Sequence, residues 1–91
     1  MNIEVDSKKL KGGYEMKWNK AVEKIEAALA EEKKVEITYH IKYNRKIYYT
    51  DTVESVHEYD YYDGKQYKTV ITYHDGLDEV RNIIDEVKVM E

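Results

Sequence analysis

The chain has 91 residues, no cysteine, no proline and a formal net charge of −4 at pH 7. This length supports one domain with a single modest core, and the lack of cysteine excludes disulfides and thiolate metal sites. No run of about 18 apolar residues is present, and the first residues lack the features of a secretion signal. We therefore expect a single domain over residues 1–91, located in the cytoplasm.

The chain is predicted to begin with a flexible segment or a short edge strand over residues 1–13. Ile3 and Val5 alternate there with polar residues, as a strand would. Over residues 15–32 the apolar positions recur at steps of three and four, which predicts an amphipathic N-terminal helix. These positions are Trp18, Val22, Ile25 and Leu29.

Three segments that begin near Val35, Ile47 and Tyr67 alternate apolar and polar residues, as half-buried strands do. Turn residues at 44–46 and 60–64 separate them, and the second turn contains an Asp-Gly pair. The pattern predicts a three-stranded antiparallel meander.

The second strand is irregular, because its apolar phase slips between Val53 and Val56. Such a slip indicates a β-bulge or bend near Ser55, and a bulged strand bends and twists more strongly than a regular one. We therefore expect the meander to curl.

The C-terminal tail fits two structures. Leu77, Val80, Ile84 and Val87 are spaced as in a helix, with Asp75 placed to cap it. The alternation around residues 87–89 fits a strand instead. The helix is favoured, which gives an α+β domain with an N-terminal helix, a curled three-stranded antiparallel meander and a C-terminal helix.

Nine of the ten tyrosines lie between Tyr39 and Tyr73, and phenylalanine is absent. Tyrosine combines an apolar ring with a polar hydroxyl, so it suits contact surfaces. The charge is also uneven: residues 1–46 carry +3, whereas residues 47–91 carry −7. An acidic field repels nucleic-acid phosphates and attracts basic protein surfaces. We expect a basic protein partner, no direct binding of nucleic acid, and no membrane partner.

Register predicts two cross-strand rows. Pairing Tyr43 with Ile47 keeps the apolar residues of the first two strands on one face. A register of the third strand that keeps its apolar residues on this face as well places Asp51 between Tyr39 and Tyr73. This row is either a polar ligand pocket or a satisfied polar cluster.

The opposite face would carry a second row, with Thr50 between His40 and His74. Strands on either side of a central strand lie nearly 10 Å apart, because each spacing is about 4.8 Å. Two imidazoles at that separation do not share a metal ion in an ordinary sheet, so no metal site is expected.

Sequence motifs of catalysis are lacking. The four glycines do not have the spacing of a phosphate-binding loop, and Ser7 and Ser55 are the only serines. We expect no enzymatic activity and no cofactor.

Four segments resemble the YolD-like proteins, small proteins with Sm-like sheets from Gram-positive bacteria and their phages. The segments are Met16-Lys17-Trp18, Lys34-Val35-Glu36-Ile37-Thr38-Tyr39, Val53-Glu54-Ser55-Val56 and Ile84-Asp85-Glu86-Val87. The resemblance implies a curled sheet and, as an alternative fold, an Sm/SH3-like small barrel with two short C-terminal strands. It also implies a phage or mobile-element setting, and some members are proposed partners of DNA-repair polymerases.

The leading functional hypothesis is a non-enzymatic, acidic, tyrosine-rich protein that binds a basic groove of a nucleic-acid-handling protein. A phage inhibitor of a host defence nuclease, similar to an anti-CRISPR protein, would fit, and its compartment would be the bacterial cytoplasm. The predicted partner-binding residues are Tyr48, Glu54, Glu58, Tyr59, Asp60, Tyr61, Tyr62 and Asp63. The alternatives are a small-ligand or nucleotide-binding domain that uses Tyr39, Asp51 and Tyr73, and a designed domain without function.

Overall fold

A computed structural model describes residues 17–60 and 62–91 of the chain. The predictions for residues 1–13 and for Tyr61 lie outside these described residues. No helix among the described residues is both long and apolar enough to cross a membrane.

Helix α1 (Trp18–Ala30) lies within the range that the apolar periodicity predicts. Its inward face consists of Trp18, Ala21, Val22, Ile25 and Ala28, which are all buried. The helix ends in a Schellman motif: the amide of Lys33 donates to the carbonyl of Ala28, and the amide of Glu32 donates to the carbonyl of Leu29. Glu32 has a φ of 59°, so it occupies the left-handed position that usually takes glycine.

Five antiparallel strands follow the helix: β1 (Lys34–Ile41), β2 (Asn44–Asp60), β3 (Gln66–Thr72), β4 (Gly76–Leu77) and β5 (Asn82–Met90). They form one sheet in the order β4-β3-β2-β1-β5. Strand β1 therefore pairs with β2 on one side and with the last strand of the chain on the other.

The predicted fold class is wrong, because the described sheet has five strands rather than three and residues 77–90 contain no helix. A two-residue β4 and a nine-residue β5 replace both the C-terminal helix and the alternative pair of short strands. The reason is a register shift in β5: Val87 is opposite Ile37, but Ile84 is opposite Tyr39. An extra residue in a strand lets side chains three positions apart share a face, and this spacing imitates a helix.

Strand β2 bends sharply. Its 17 residues would span about 53 Å if straight, whereas the longest dimension of the described molecule is 39 Å. Its first half pairs with β1, its second half pairs with β3, and the register shifts between Val53 and Ser55. The bulge predicted near Ser55 is therefore confirmed, and it divides β2 into two arms with different neighbours.

The core lies between α1 and the sheet. Ile25 of the helix and Val35, Ile37 and Ile84 of the neighbouring strands β1 and β5 have no exposed surface. Val70 and Leu77 extend the core under β3 and β4. Burying these apolar side chains is the main force that holds the helix on the curled sheet.

Candidate functional site

The hairpin between β2 and β3 projects tyrosines and carboxylates into solvent. We call Glu58, Tyr59, Asp60, Tyr62 and Asp63 the acidic hairpin. All five are exposed, and Tyr62 is as accessible as in an extended chain, at 103%. These five are among the residues that the sequence analysis predicts to bind a partner.

The turn of this hairpin is built by the residues that the sequence pattern indicated. Gly64 has a φ of 82°, which favours a residue without Cβ, and a carboxylate oxygen of Asp63 accepts a hydrogen bond of 2.9 Å from the amide of Lys65. Tyr59 pairs with Tyr67 in the ladder just before the turn. The tip is therefore a defined turn on a paired ribbon.

Only part of the acidic charge is compensated within the molecule. The Nζ atom of Lys68 lies 2.8 Å from Glu26 of α1 and 3.9 Å from Glu58. Hydrogen bonding to Glu26 raises the pKa of Lys68 and outweighs the lowering effect of burial. Among the described residues, neither Asp60 nor Asp63 has a basic side chain within 4.0 Å. Within the described part of the chain, no ion pair neutralises these two carboxylates.

Two further predicted partner-binding residues lie away from the tip. Tyr48 precedes Tyr59 by 11 positions on β2, and its ring packs against His40 with centroids 5.1 Å apart. Glu54 is exposed at the bulge. The structure therefore groups five of the predicted residues and separates Tyr48 and Glu54 from them.

A groove of about 1070 Å³ borders the acidic hairpin. It lies between the first turn of α1, the end of the β2–β3 hairpin and the loop from β4 to β5. Its walls include Trp18, Tyr59 and the exposed Val80, together with side chains of both charges. Arg81 in this wall is held by Asp78, with its Nε atom 2.9 Å from the carboxylate. The groove adds apolar contact area beside the hairpin.

The predicted row of Tyr39, Asp51 and Tyr73 does not form. Tyr39 is opposite Tyr49, with ring centroids 5.4 Å apart, and Asp51 is opposite Ile37. The cause is the β1–β2 connection, where Lys42 and Tyr43 form the loop and the predicted turn residues 44–46 already belong to β2. This changes the register by two positions, which preserves the face of each side chain but changes its cross-strand partner.

Asp51 acts as a hydrogen-bond acceptor for the chain after β3. Its carboxylate accepts from the amides of Thr52 and His74 at 2.8 and 3.2 Å, and both of its oxygens lie 3.0 Å from Nδ1 of His74. Burial raises the pKa of this carboxyl, but the hydrogen bonds from His74, Thr72 and Thr52 outweigh burial and hold it below its usual value. Asp51 thus ties β2 to the segment that leads into β4.

Replacing Asp51 with asparagine is expected to flatten the acid dependence of stability. A lowered folded-state pKa stabilises the fold above the unfolded-state pKa, and this stability is lost as the pH falls below the usual value of 3.8. At neutral pH the variant should lose about 1 kcal/mol or more of unfolding free energy. Urea unfolding from about pH 6 to about pH 2 should show the two proteins converging toward acid pH.

Asp60→Asn, at an exposed position, is the matched control and should leave the unfolding free energy almost unchanged at neutral pH. A constant difference between wild type and Asp51→Asn at every pH would contradict the assigned role of the Asp51 carboxylate.

The predicted row of His40, Thr50 and His74 is also absent, since Thr50 is opposite Thr38. His40 instead forms a buried pair with Asp85: Nδ1 lies 2.8 Å from Oδ2, and the two side chains are 2% and 1% exposed. Sequence reasoning missed this pair because 45 residues separate its members. Its burial keeps it from a dissolved substrate, so it is a structural link between β1 and β5.

The described residues contain no group of three or more metal-binding side chains. Comparisons with known proteins give no relative from which a site could be transferred. No protein-family model, curated protein or solved structure matches the chain.

Proposed function

We propose that the chain is a non-enzymatic interaction protein that presents its acidic hairpin to a basic groove of a nucleic-acid-handling protein. The observation that carries the proposal is the exposed pair of tyrosines, Tyr59 and Tyr62, beside Asp60 and Asp63. Neither carboxylate has a basic neighbour within 4.0 Å among the described residues.

The chemistry of the hairpin suits such a partner. Carboxylates on a projecting ribbon offer negative charge to arginine and lysine side chains that otherwise hold phosphates. Tyrosine rings add contact area at a small cost in side-chain entropy, and they are enriched at the centres of interfaces. The proposed setting, as for the YolD-like proteins that the sequence resembles, is the cytoplasm of a bacterium. A phage inhibitor of a host defence nuclease is one protein of this kind.

The ligand-pocket alternative has less support. Tyr39 is only 5% exposed, and Asp51 is occupied by hydrogen bonds from Thr52 and His74. Since Tyr39 is opposite Tyr49 and Asp51 is opposite Ile37, the predicted row is absent, and the acidic hairpin is the stronger candidate for the working surface.

The test is capture of proteins from a bacterial lysate on immobilised chain at about 50 mM and about 500 mM salt. Wild type should retain basic nucleic-acid-binding proteins at low salt, and high salt or added duplex DNA should release them. Asp60→Lys combined with Asp63→Lys should abolish retention, because it replaces attraction at the interface with repulsion.

Glu23→Lys combined with Glu86→Lys is the matched control, since it changes the net charge equally at exposed positions on α1 and β5. The control should retain the same proteins as wild type, with weakening of no more than a few-fold. Equal loss in both variants, or retention that DNA does not compete with, would overturn the assignment to the hairpin.

A further inference from the structure

We infer that the connection between β1 and β2 binds single-stranded nucleic acid. We call this region the basic hairpin. It consists of Ile41, Lys42, Tyr43, Arg45, Lys46, Ile47 and Tyr49. It lies at the start of β2, and the acidic hairpin lies at the end of the same strand.

All charged side chains of the basic hairpin are positive. No acidic residue occurs between Glu36 and Asp51, and this interval contains Lys42, Arg45 and Lys46. None of the three has an acidic side chain within 4.0 Å in the described part of the chain. These cations are available to phosphates.

The hydrogen-bonded pairing of β1 with β2 is irregular next to the basic hairpin. Ile41 is opposite Asn44, but His40 is opposite Tyr48, so residues 45–47 have no partner on β1. The loop is fixed on its other side, where the amide of Lys42 donates a hydrogen bond of 2.8 Å to the carbonyl of Arg81. The unpaired residues therefore project from an anchored turn.

The apolar part of the basic hairpin is unusually exposed. Ile41, Tyr43, Ile47 and Tyr49 make up four of the eight exposed large apolar side chains among the described residues. Tyr43 in the loop is 89% exposed, and Tyr49 rests on the buried ring of Tyr39. Rings presented in this way offer faces on which bases can stack.

Single-stranded nucleic acid is the ligand that matches this combination. Proteins that bind single strands pair a basic path for the backbone with aromatic side chains that stack on bases. An anionic membrane is a poorer match, because membrane-surface segments rely on Trp, Phe and Leu, which the basic hairpin lacks. The expectation of no direct nucleic-acid binding rested on the acidic half of the chain. The structure places Arg45 at the opposite end of β2 from the acidic hairpin, in an interval without acidic residues.

The test is fluorescence anisotropy with a labelled oligothymidylate of about 12 nucleotides. Arg45→Glu combined with Lys46→Glu should raise the dissociation constant at least tenfold, and Tyr43→Ala should raise it about fivefold or more. For wild type, raising the salt from about 50 to about 200 mM should weaken binding roughly 20-fold, as expected for three phosphate contacts.

The matched control is Lys20→Glu combined with Lys24→Glu, which changes the net charge equally on the exposed side of α1. This control and Asp60→Lys/Asp63→Lys should both keep at least one third of the wild-type affinity for the oligonucleotide. Retained binding in the latter variant separates this site from the proposed protein interface.

Circular dichroism and urea midpoints should confirm that each variant is folded, as expected at exposed positions. Equal weakening by the α1 control, tighter binding of duplex than of single strand, or binding only to vesicles that contain phosphatidylserine would overturn the inference. An unchanged dissociation constant for Tyr43→Ala would overturn the stacking role.

Discussion

Replacing Ile37 with alanine is expected to lower the unfolding free energy by about 2–5 kcal/mol. Ile37 has no exposed surface and lies in β1 between two paired strands, with Val87 of β5 and Asp51 of β2 as its cross-strand neighbours. The truncation removes buried apolar area and leaves a cavity that two flanking strands keep from collapsing. The loss is a large share of the 5–15 kcal/mol that stabilises a typical domain of this kind.

Urea unfolding followed by circular dichroism measures the effect, and the denaturant slope should stay unchanged. Ile47→Ala is the matched control, because this isoleucine is 45% exposed and should lose less than about 1 kcal/mol. Similar losses in the two variants would contradict the placement of Ile37 in the core.

Replacing Asp85 with alanine is expected to destabilise the fold by about 3–5 kcal/mol. The carboxylate lies 2.8 Å from Nδ1 of His40, and both side chains are almost completely buried. Removing it leaves a buried polar nitrogen without this partner, and water cannot easily replace the carboxylate there. The midpoint of urea unfolding reports the loss directly.

Asp85→Asn distinguishes two origins of this energy. An amide oxygen still accepts a hydrogen bond from Nδ1, so a small loss would assign the energy to hydrogen bonding, and a loss close to that of alanine would assign it to charge. Glu91→Ala is the exposed control: its ion pair with Lys33 spans 3.2 Å at 81% exposure of Glu91, where water screens the charges, so the urea midpoint should stay close to that of wild type. A loss below about 1 kcal/mol for Asp85→Ala would contradict a structural role for the buried pair.

The helix and the first strands were predictable because their patterns are local. The three- and four-residue spacing of Trp18, Val22 and Ile25 belongs to one face of α1. The phase slip between Val53 and Val56 corresponds to the bulge in β2. The tail was not predictable by the same rule, since the bulge that brings Ile84 and Val87 to one face imitates helical spacing.

Part of the candidate site was likewise predictable from local sequence, and part was not. A turn rich in Asp and Gly is nearly always exposed, so the position of Asp60, Tyr62 and Asp63 follows from local chemistry. Partners across β1 and β2 depend on the length of the loop between them, and a turn at Lys42 and Tyr43 changes every predicted pair between these two strands. The same change produces the basic hairpin, because two of the predicted turn residues, Arg45 and Lys46, belong to an unpaired stretch of β2.

The position of β5 beside β1 has a consequence for how the chain folds. Residues 34–41 pair with residues 82–90, so the first strand obtains its second neighbour only after the rest of the sheet has been synthesised. Contacts between distant segments slow folding, because a long loop must close before they form. Until then, the edge of β1 that β5 later occupies is open and can pair with another nascent chain, which makes this stage of folding the one most exposed to aggregation.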